Sequence, residues 1–144
     1  MTRTLEQAQA DAVAPWHEAL VVTRDYSVFR DAYPVTEGHV LFVPQQEDWQ
    51  HVTKCWEAAY RWGTDWVDRG YCEAFNIGMN VGEAAGQTVR YPHVHLIPRR
   101  TGDMSDPQGG VRHVIPSKGN YTLANSSKSF TYAESVTGLS QDLV

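Results

Sequence analysis

Apolar residues in the first two thirds of the chain form short runs typical of β-strands, interrupted by one longer segment with helical spacing. β-Branched and aromatic residues dominate positions 18–29, which predicts two short strands joined by a turn. A proline and a glycine within 31–38 predict a second turn. The run 39–43 is apolar nearly throughout, as in a strand covered on both faces, and Pro44 is expected to end it.

A long amphipathic helix is predicted over residues 48–69. Its apolar side chains, several of them tryptophans, recur every three to four positions, and Gly70 stands where helices commonly end. Such an aromatic stripe could stack on bases, but its shared face favours packing against a sheet. Two further strands are predicted at 72–79 and 88–98, separated by a glycine-punctuated loop at 80–87.

Both ends of the chain carry a weaker pattern. The first residues are polar and rich in alanine, so we expect an N-terminal arm or frayed helix over 1–15. From position 102 onward Ser, Thr, Asn, Gly and Pro are frequent, which predicts a C-terminal extension over 102–144 whose end is loosely ordered. The whole chain of 144 residues has the size of a single domain.

Composition and charge narrow the class of protein. The 12 basic and 17 acidic residues give a formal net charge of -5, so we expect no nucleic-acid partner. No run approaches the roughly 18 apolar residues that a membrane span needs, and the polar start does not resemble a signal peptide. Cys55 and Cys72 form no C-x-x-C pair. We therefore expect a cytoplasmic protein with free thiols and no membrane contact.

Two neighbouring histidines carry the chemistry that the sequence suggests. Side chains alternate along a strand, so Tyr91, His93 and His95 are predicted to share one face. A neutral imidazole is both a nucleophile toward phosphorus and a proton carrier near pH 7. The loop before them favours an anion, because Gly82 and Gly86 allow backbone N–H groups to converge. The same loop adds side-chain donors at Asn80, Gln87 and Thr88.

A metal site is the competing interpretation of these histidines. His93 and His95 could chelate zinc together with His113 or an acidic residue. The surrounding amide and hydroxyl donors suit an anion better than a metal ion. A phosphate ester is therefore the favoured ligand, and no metal site is predicted.

Several motifs occur together in a recognisable order. The segment GQTVRYPHVHLIPR at 86–99 resembles the signature strand of the histidine-triad family of nucleotide hydrolases and transferases. Residues 31–44, with the pattern DxxPxxxGHxLxxP, are similar to the family's nucleoside-binding segment, and 76–87 are similar to its phosphate loop. Residues 109–116 resemble an extension of bacterial members. The resemblance covers about residues 16–100.

The resemblance implies an α+β fold with a five-stranded antiparallel sheet, a long covering helix, and a homodimer whose two sheets are continuous. It implies a purine-nucleotide substrate that is cleaved at the α-phosphate. Adenylated compounds, phosphoramidates and dinucleoside polyphosphates fit that description. No cofactor held by the protein is implied, and any Mg²⁺ would arrive on the polyphosphate of the substrate.

The resemblance also assigns roles to individual residues. His93 would attack the α-phosphate to form a nucleotidyl-histidine that water then hydrolyses, while His95 would bind the phosphoryl oxygens. Asp31 would accept both ribose hydroxyls, and His39 would lie behind the catalytic pair. The other nucleotide contacts implied are Ala32, Asn80, Gly86, Gln87 and Thr88.

One position departs from the family pattern, because Tyr91 stands where the first histidine of the triad is expected. Tyrosine cannot carry a proton near pH 7. Activity survives if this position acts through its backbone carbonyl, which can set the tautomer of His93, and falls if an imidazole is needed. Pro92 lacks a ladder donor and predicts an edge strand or an unpaired position. The alternatives are a purine-nucleotide-binding module with weak turnover and a nucleotidyltransferase or phosphorylase.

Overall fold

The computed structural model describes residues 2–120, which belong to two compact units. The first unit, Met1–Ser105, contains the sheet and both α-helices. The described part of the second unit consists of two 3₁₀ turns, Gly110–Val114 and Pro116–Lys118. The predicted loosely ordered end of the chain lies largely outside the described residues. Across those residues, no helix has the length and apolar character needed to cross a bilayer.

Five strands form one antiparallel sheet, which confirms the predicted α+β class. They are β1 Val21–Val22, β2 Tyr26–Arg30, β3 Val40–Pro44, β4 Ala74–Gly78 and β5 Val94–Arg99. Their order across the sheet is β1-β2-β3-β5-β4, so β3 and β5 are neighbours near its centre. Leu41 of β3 pairs with His95 of β5, which brings the candidate histidine to the middle of the sheet.

Every residue of β3 is buried, because both faces of the sheet are covered. On one face Val40 and Phe42 pack with Val94 and Leu96 beneath the long helix. On the other face a second apolar cluster joins Leu41 and Val43 to the N-terminal segment. This double covering explains why the run is apolar at consecutive rather than alternate positions.

The N-terminal segment is helical, in agreement with one of its two predicted forms and not with an extended arm. It forms helix α1, Leu5–Ala10, whose start is closed by a capping box between Thr4 and Gln7. Leu5 and Ala8 are buried in the same cluster as Trp16. The apolar stripe of α1 is thin because two side chains suffice where Trp16 supplies most of the covering surface.

Helix α2 spans Trp49–Asp68, as predicted, with Asp48 as its N-cap and a left-handed Gly70 just past its end. The packing of its stripe differs from the prediction. Its fully buried residues are small ones, namely Cys55, Ala58, Ala59 and Gly63, because the helix lies close against the sheet. Trp62 and Trp66 are half-buried beside them, whereas Trp56 is 39% exposed.

The second strand of the predicted hairpin is shorter than expected. β5 begins at Val94, and residues 88–93 are irregular. Pro92 therefore lies before the ladder and needs no partner there, so an interior position for β5 is compatible with it. Cys55 and Cys72 are both buried free thiols.

Candidate active site

Three imidazoles form a row on the face of the sheet that lies away from α2. His95 comes from β5, His93 from the irregular segment just before it, and His39 from the residue preceding β3. The ring centroids of His93 and His95 are 5.2 Å apart, and those of His95 and His39 are 5.1 Å apart. We call these three side chains the imidazole row. The predicted neighbouring position of His93 and His95 is confirmed.

The tautomer of His93 is set by the backbone. Its Nδ1 lies 2.9 Å from the carbonyl oxygen of Tyr91, which can only accept, so Nδ1 carries the proton and donates. The lone pair is therefore on Nε2. This atom makes no hydrogen bond within residues 2–120 and is not sealed from solvent. The indole of Trp16 packs against the ring with centroids 4.9 Å apart and fixes its tilt.

Tyr91 contributes to this geometry through its backbone rather than its phenol. The side chain is buried in the cluster that contains Trp16, and its hydroxyl donates a 2.7 Å hydrogen bond to the carbonyl of Pro44. Burial raises the pKa of the hydroxyl further above its ordinary value, so the phenol stays protonated. The anchored side chain thereby holds the carbonyl that orients His93.

His39 passes the orientation on to His95. The N–H of Val35 donates to Nδ1 of His39 at 3.2 Å, so the proton of the neutral ring is on Nε2. That Nε2 lies 2.9 Å from Nδ1 of His95 and donates to it. The proton of His95 is then on Nε2, where it is a hydrogen-bond donor. His39 is buried and positions His95.

Burial keeps His95 and His39 uncharged at neutral pH. Burial, together with the neighbouring rings of His93 and His39 and against the opposing effect of Asp31, lowers the pKa of His95 to about 4. Burial also lowers the pKa of His39, again opposed by Asp31. The neutral ring of His95 thus presents an N–H donor beside the lone pair that the Tyr91 hydrogen bond leaves on Nε2 of His93. Such a pair can attack phosphorus while binding a phosphoryl oxygen.

Asp31 lies at the His39 end of the row. Its Oδ1 accepts from the N–H of Tyr33 at 2.8 Å, while Oδ2 is 3.3 Å from Nε2 of His39 and 3.7 Å from Nδ1 of His95. The carboxylate borders a cavity of about 390 Å³. Aromatic walls of this cavity come from Trp62, Trp66 and Tyr71. Ala32, the next predicted contact, is exposed and does not line this cavity.

The loop over 80–88 differs from the predicted anion cradle. The N–H groups of Gly82, Ala85, Gly86 and Gln87 all donate within the loop, so they do not converge on an open space. The side chain of Gln87 is also used internally, accepting from Gly82 and donating to two carbonyls further along. Of the predicted side-chain donors of this loop, Asn80 and Thr88 make no side-chain hydrogen bond within residues 2–120, and both are exposed.

A metal ion fits this site poorly. Asp31, His39 and His95 offer ligand atoms within 4.8 Å of one another, a set that includes neither His93 nor His113. However, a histidine that binds metal through Nε2 must carry its proton on Nδ1, and Nδ1 of His39 already accepts from Val35. The ion would have to break that hydrogen bond. We therefore assign no role in the reaction to zinc.

The family of this chain follows from its match to a family model. The sequence model described as "HIT domain" matches residues 15–102 of the chain. The chain belongs to the HIT domain family. Its five-stranded sheet and long helix agree with solved HIT folds. A HIT family protein from Bacillus anthracis superposes with a TM-score of 0.60 at 19% identity, covering 98% of this chain and 96% of that one.

Named relatives of this HIT domain protein include two hydrolases. The bis(5'-nucleosyl)-tetraphosphatase [asymmetrical] of Schizosaccharomyces pombe is 33% identical over 109 residues, which are 68% of this chain and 58% of that protein. The bis(5'-adenosyl)-triphosphatase of Dictyostelium discoideum is 31% identical over 80 residues, 51% of this chain and 54% of that protein. The chain thus spans a little over half the length of these relatives.

One solved structure bears on the metal question. The zinc-bound histidine triad family protein from Mycobacterium smegmatis is 25% identical, with a TM-score of 0.58, over 69% of this chain and 78% of that one. The bound zinc is a property of that protein. In this chain the Val35 hydrogen bond argues against an ion at His39.

Two residues of the site escaped the sequence analysis. Trp16 packs on His93 from the position that directly follows the predicted N-terminal arm, and Val35 acts through a backbone N–H that no side-chain pattern marks. The tryptophan could have been found from its size, because a lone large aromatic in a polar segment is usually buried. The Val35 contact had no signal in the sequence.

Proposed function

We propose that this HIT domain protein is a nucleotide hydrolase that acts at an α-phosphate through a nucleotidyl-His93 intermediate. The observation that best supports this function is the hydrogen bond from Nδ1 of His93 to the Tyr91 carbonyl, which leaves a lone pair on Nε2. The names of the two curated relatives support dinucleoside polyphosphates as substrates. Adenylated phosphoramidates fit the same chemistry.

The reaction has two displacement steps at phosphorus. In the first, Nε2 of His93 forms the N–P bond while the bond from phosphorus to the leaving group breaks and the electron pair leaves with that group. A polyphosphate departs as the anion, whereas the nitrogen of a phosphoramidate takes up a proton from solvent as it departs as the amine. The imidazolium keeps its Nδ1 proton, and the Tyr91 carbonyl stabilises the positive charge. In the second, water attacks phosphorus, loses a proton to solvent and releases His93 with the nucleoside monophosphate. His95 donates from Nε2 to a non-bridging oxygen in both steps.

Tyr91 is compatible with this chemistry in the position of the first triad histidine. The mechanism requires a carbonyl acceptor at this residue, and every amino acid supplies one. The phenol adds an anchor on Pro44 that keeps the carbonyl in place. Weak turnover caused by the missing imidazole is therefore not expected.

The nucleoside lies at the opposite end of the imidazole row. We place a purine base in the cavity lined by Trp62, Trp66 and Tyr71, and both ribose hydroxyls on the Asp31 carboxylate. Ala32 follows that carboxylate along the backbone. Phosphate contacts come from Asn80 and Thr88, whereas Gly86 and Gln87 shape the loop that carries them.

We also propose how two copies of the chain assemble and in which compartment they act. β4 is an edge of the sheet, and the adjacent face of α2 exposes the large side chains of Trp56 and Tyr60. We infer that two copies pair along β4 into a homodimer with a continuous sheet. We place the protein in the cytoplasm, and the acidic net charge supports the absence of a nucleic-acid partner. Any Mg²⁺ would be carried by the polyphosphate substrate.

The test is incubation with diadenosine tetraphosphate and with adenosine 5'-phosphoramidate, followed by chromatography of the products. We expect steady release of nucleoside monophosphate from at least one substrate. Tight AMP binding without turnover would show a nucleotide-binding module instead. Formation of ADP upon addition of phosphate would show that phosphate replaces water as the acceptor.

A further inference from the structure

A second cleft borders the His93 end of the imidazole row. Its volume is about 320 Å³. Its lining includes Glu47, Asp48, Trp49, Asn80, Arg90 and Pro92. We call it the Arg90 cleft. Pro92 directly precedes His93, so the cleft begins next to the nucleophile.

The charged groups of this cleft are not equally available. Glu47 forms an ion pair with Arg3 at 3.2 Å. Asp48 caps helix α2, accepting from the N–H of His51 at 2.9 Å and contacting its Nδ1 at 2.6 Å. By contrast, the exposed guanidinium of Arg90 makes no hydrogen bond or ion pair within residues 2–120. Among these three charged groups, Arg90 is the one whose side chain has no partner within residues 2–120, so it is free to bind an anion.

The cleft also offers an aromatic surface. Trp49, the first residue of α2, is 73% exposed, although a tryptophan normally buries most of its surface. Its ring borders the same space as Arg90. A guanidinium binds phosphate oxygens in a bidentate manner, and an indole stacks on bases of any sequence. Together they match a phosphorylated nucleoside.

We propose that the Arg90 cleft binds the leaving half of a dinucleoside polyphosphate, with Arg90 on its phosphates and Trp49 on its base. This inference rests on the proposed function, in which the first nucleoside fills the cavity beside Asp31 and the α-phosphate lies at His93. The rest of a longer substrate then extends from the His93 end of the row. Arg90 thus favours polyphosphates over phosphoramidates, whose leaving group is a small amine without phosphate.

The test measures selectivity in Arg90→Gln and Arg90→Lys, with Lys54→Gln as a control that removes one positive charge from an exposed position outside the cleft. For each variant, kcat/KM is determined with diadenosine tetraphosphate and with adenosine 5'-phosphoramidate. We expect the ratio of the two to fall about five- to tenfold in Arg90→Gln, the scale of one exposed charge-assisted hydrogen bond. Arg90→Lys should keep more than half of the ratio, and Lys54→Gln all of it.

A ratio in Arg90→Gln within twofold of wild type overturns the inference while leaving the proposed function intact. If the wild type hydrolyses neither substrate, the proposed function fails, and binding of inorganic tripolyphosphate decides the cleft by calorimetry. A Kd raised at least fivefold by Arg90→Gln, but not by Lys54→Gln, supports the site. An unchanged Kd contradicts it.

The proposed contact of Trp49 with the second base is tested by a separate measurement, the preference for a substrate that carries this base. Diadenosine tetraphosphate carries a second base, and adenosine 5'-tetraphosphate does not. Trp49→Leu should lower the preference for the dinucleotide about three- to tenfold, whereas Trp49→Phe keeps a ring and should retain most of it. Equal preference in wild type and Trp49→Leu would show that the second base lies elsewhere.

Discussion

The imidazole row and the loop at 80–88 lie side by side at one end of the sheet and are built in opposite ways. In the row, backbone groups of Tyr91 and Val35 fix the proton of each ring they touch, so the donors and lone pairs are set before a substrate arrives. In the loop, backbone groups bond to one another and hold a shape, while Asn80 and Thr88 stay exposed. Reactive groups are thus preorganised, and binding groups stay adaptable.

The two regions also differ in solvation. Burial keeps His95 neutral, with its pKa lowered to about 4, whereas the loop lies in water and pays little for holding polar side chains. Substitutions in the row should therefore change kcat and the pH dependence of stability. Substitutions in the loop should change KM.

The largest effect is expected for His93→Ala. Removal of the nucleophile should lower kcat by about 10³-fold or more, because the covalent route is lost. AMP binding should change little, since the ribose and base contacts lie at the other end of the row. Steady-state kinetics and AMP titration measure both quantities. A variant that keeps a tenth of wild-type kcat would remove His93 from the mechanism.

His95 should make stability depend on pH between about 4 and 6.5. Its folded pKa lies below the ordinary value, so its stabilising contribution is complete above pH 6.5 and is lost as the pH falls toward 4. The loss is about 3 kcal/mol in the free energy of unfolding. Urea unfolding across this window measures it.

The matched variants for this titration are His95→Asn and His17→Asn, since His17 is exposed. His95→Asn should flatten the pH dependence, leaving the smaller part due to His39. His17→Asn should keep the wild-type slope. Equal slopes in wild type and His95→Asn would show that His95 titrates alike in the folded and unfolded chain.

Tyr91→Phe separates the carbonyl from the phenol. It removes the buried hydrogen bond to Pro44, which should cost about 1–2 kcal/mol of unfolding free energy. The carbonyl that orients His93 remains, so kcat should fall less than threefold. Tyr60→Phe, at an exposed ring, should leave stability unchanged. A large loss of kcat at unchanged stability would assign the phenol a direct role in catalysis.

The smallest effects belong to the loop. Asn80→Ala removes an exposed donor with no partner in the described chain, so stability should stay the same while KM rises about threefold. Gln87→Ala removes bonds that brace the loop, and should lower stability by about 0.5 kcal/mol as well as raise KM. A kcat loss in Asn80→Ala comparable to that of His93→Ala would show that the loop takes part in the chemical step as the imidazole row does.

Periodicity predicted the elements with a strong repeat and missed those stabilised by distant contacts. The spacing over 48–69 predicted α2, and the apolar run at 39–43 predicted β3. Helix α1 was indicated only weakly, as an alternative to an arm, because its stability comes from Trp16 and the sheet rather than from its own stripe. The exposure of Trp56 was missed because the small residues beside it bring the helix closer to the sheet.

The candidate site shows the same limit. The sequence placed His93 beside His95 because the two are only two positions apart, although His93 precedes β5 and its ring is oriented by the Tyr91 carbonyl rather than by strand alternation. Glycines at 82 and 86 predicted the turns of the loop but not that its N–H groups would bond internally. The contact of Val35 with His39 depends on how the turn before β3 folds back, which no local pattern encodes.

Rapid chemical quench with labelled diadenosine tetraphosphate, followed by peptide mapping without acid, tests the nucleotidyl-imidazole most directly. The account predicts a labelled nucleotide on Nε2 of His93 that forms and decays at rates compatible with turnover, and no label in His93→Ala. A label on another side chain, or full product release with no adduct at any time, would contradict it.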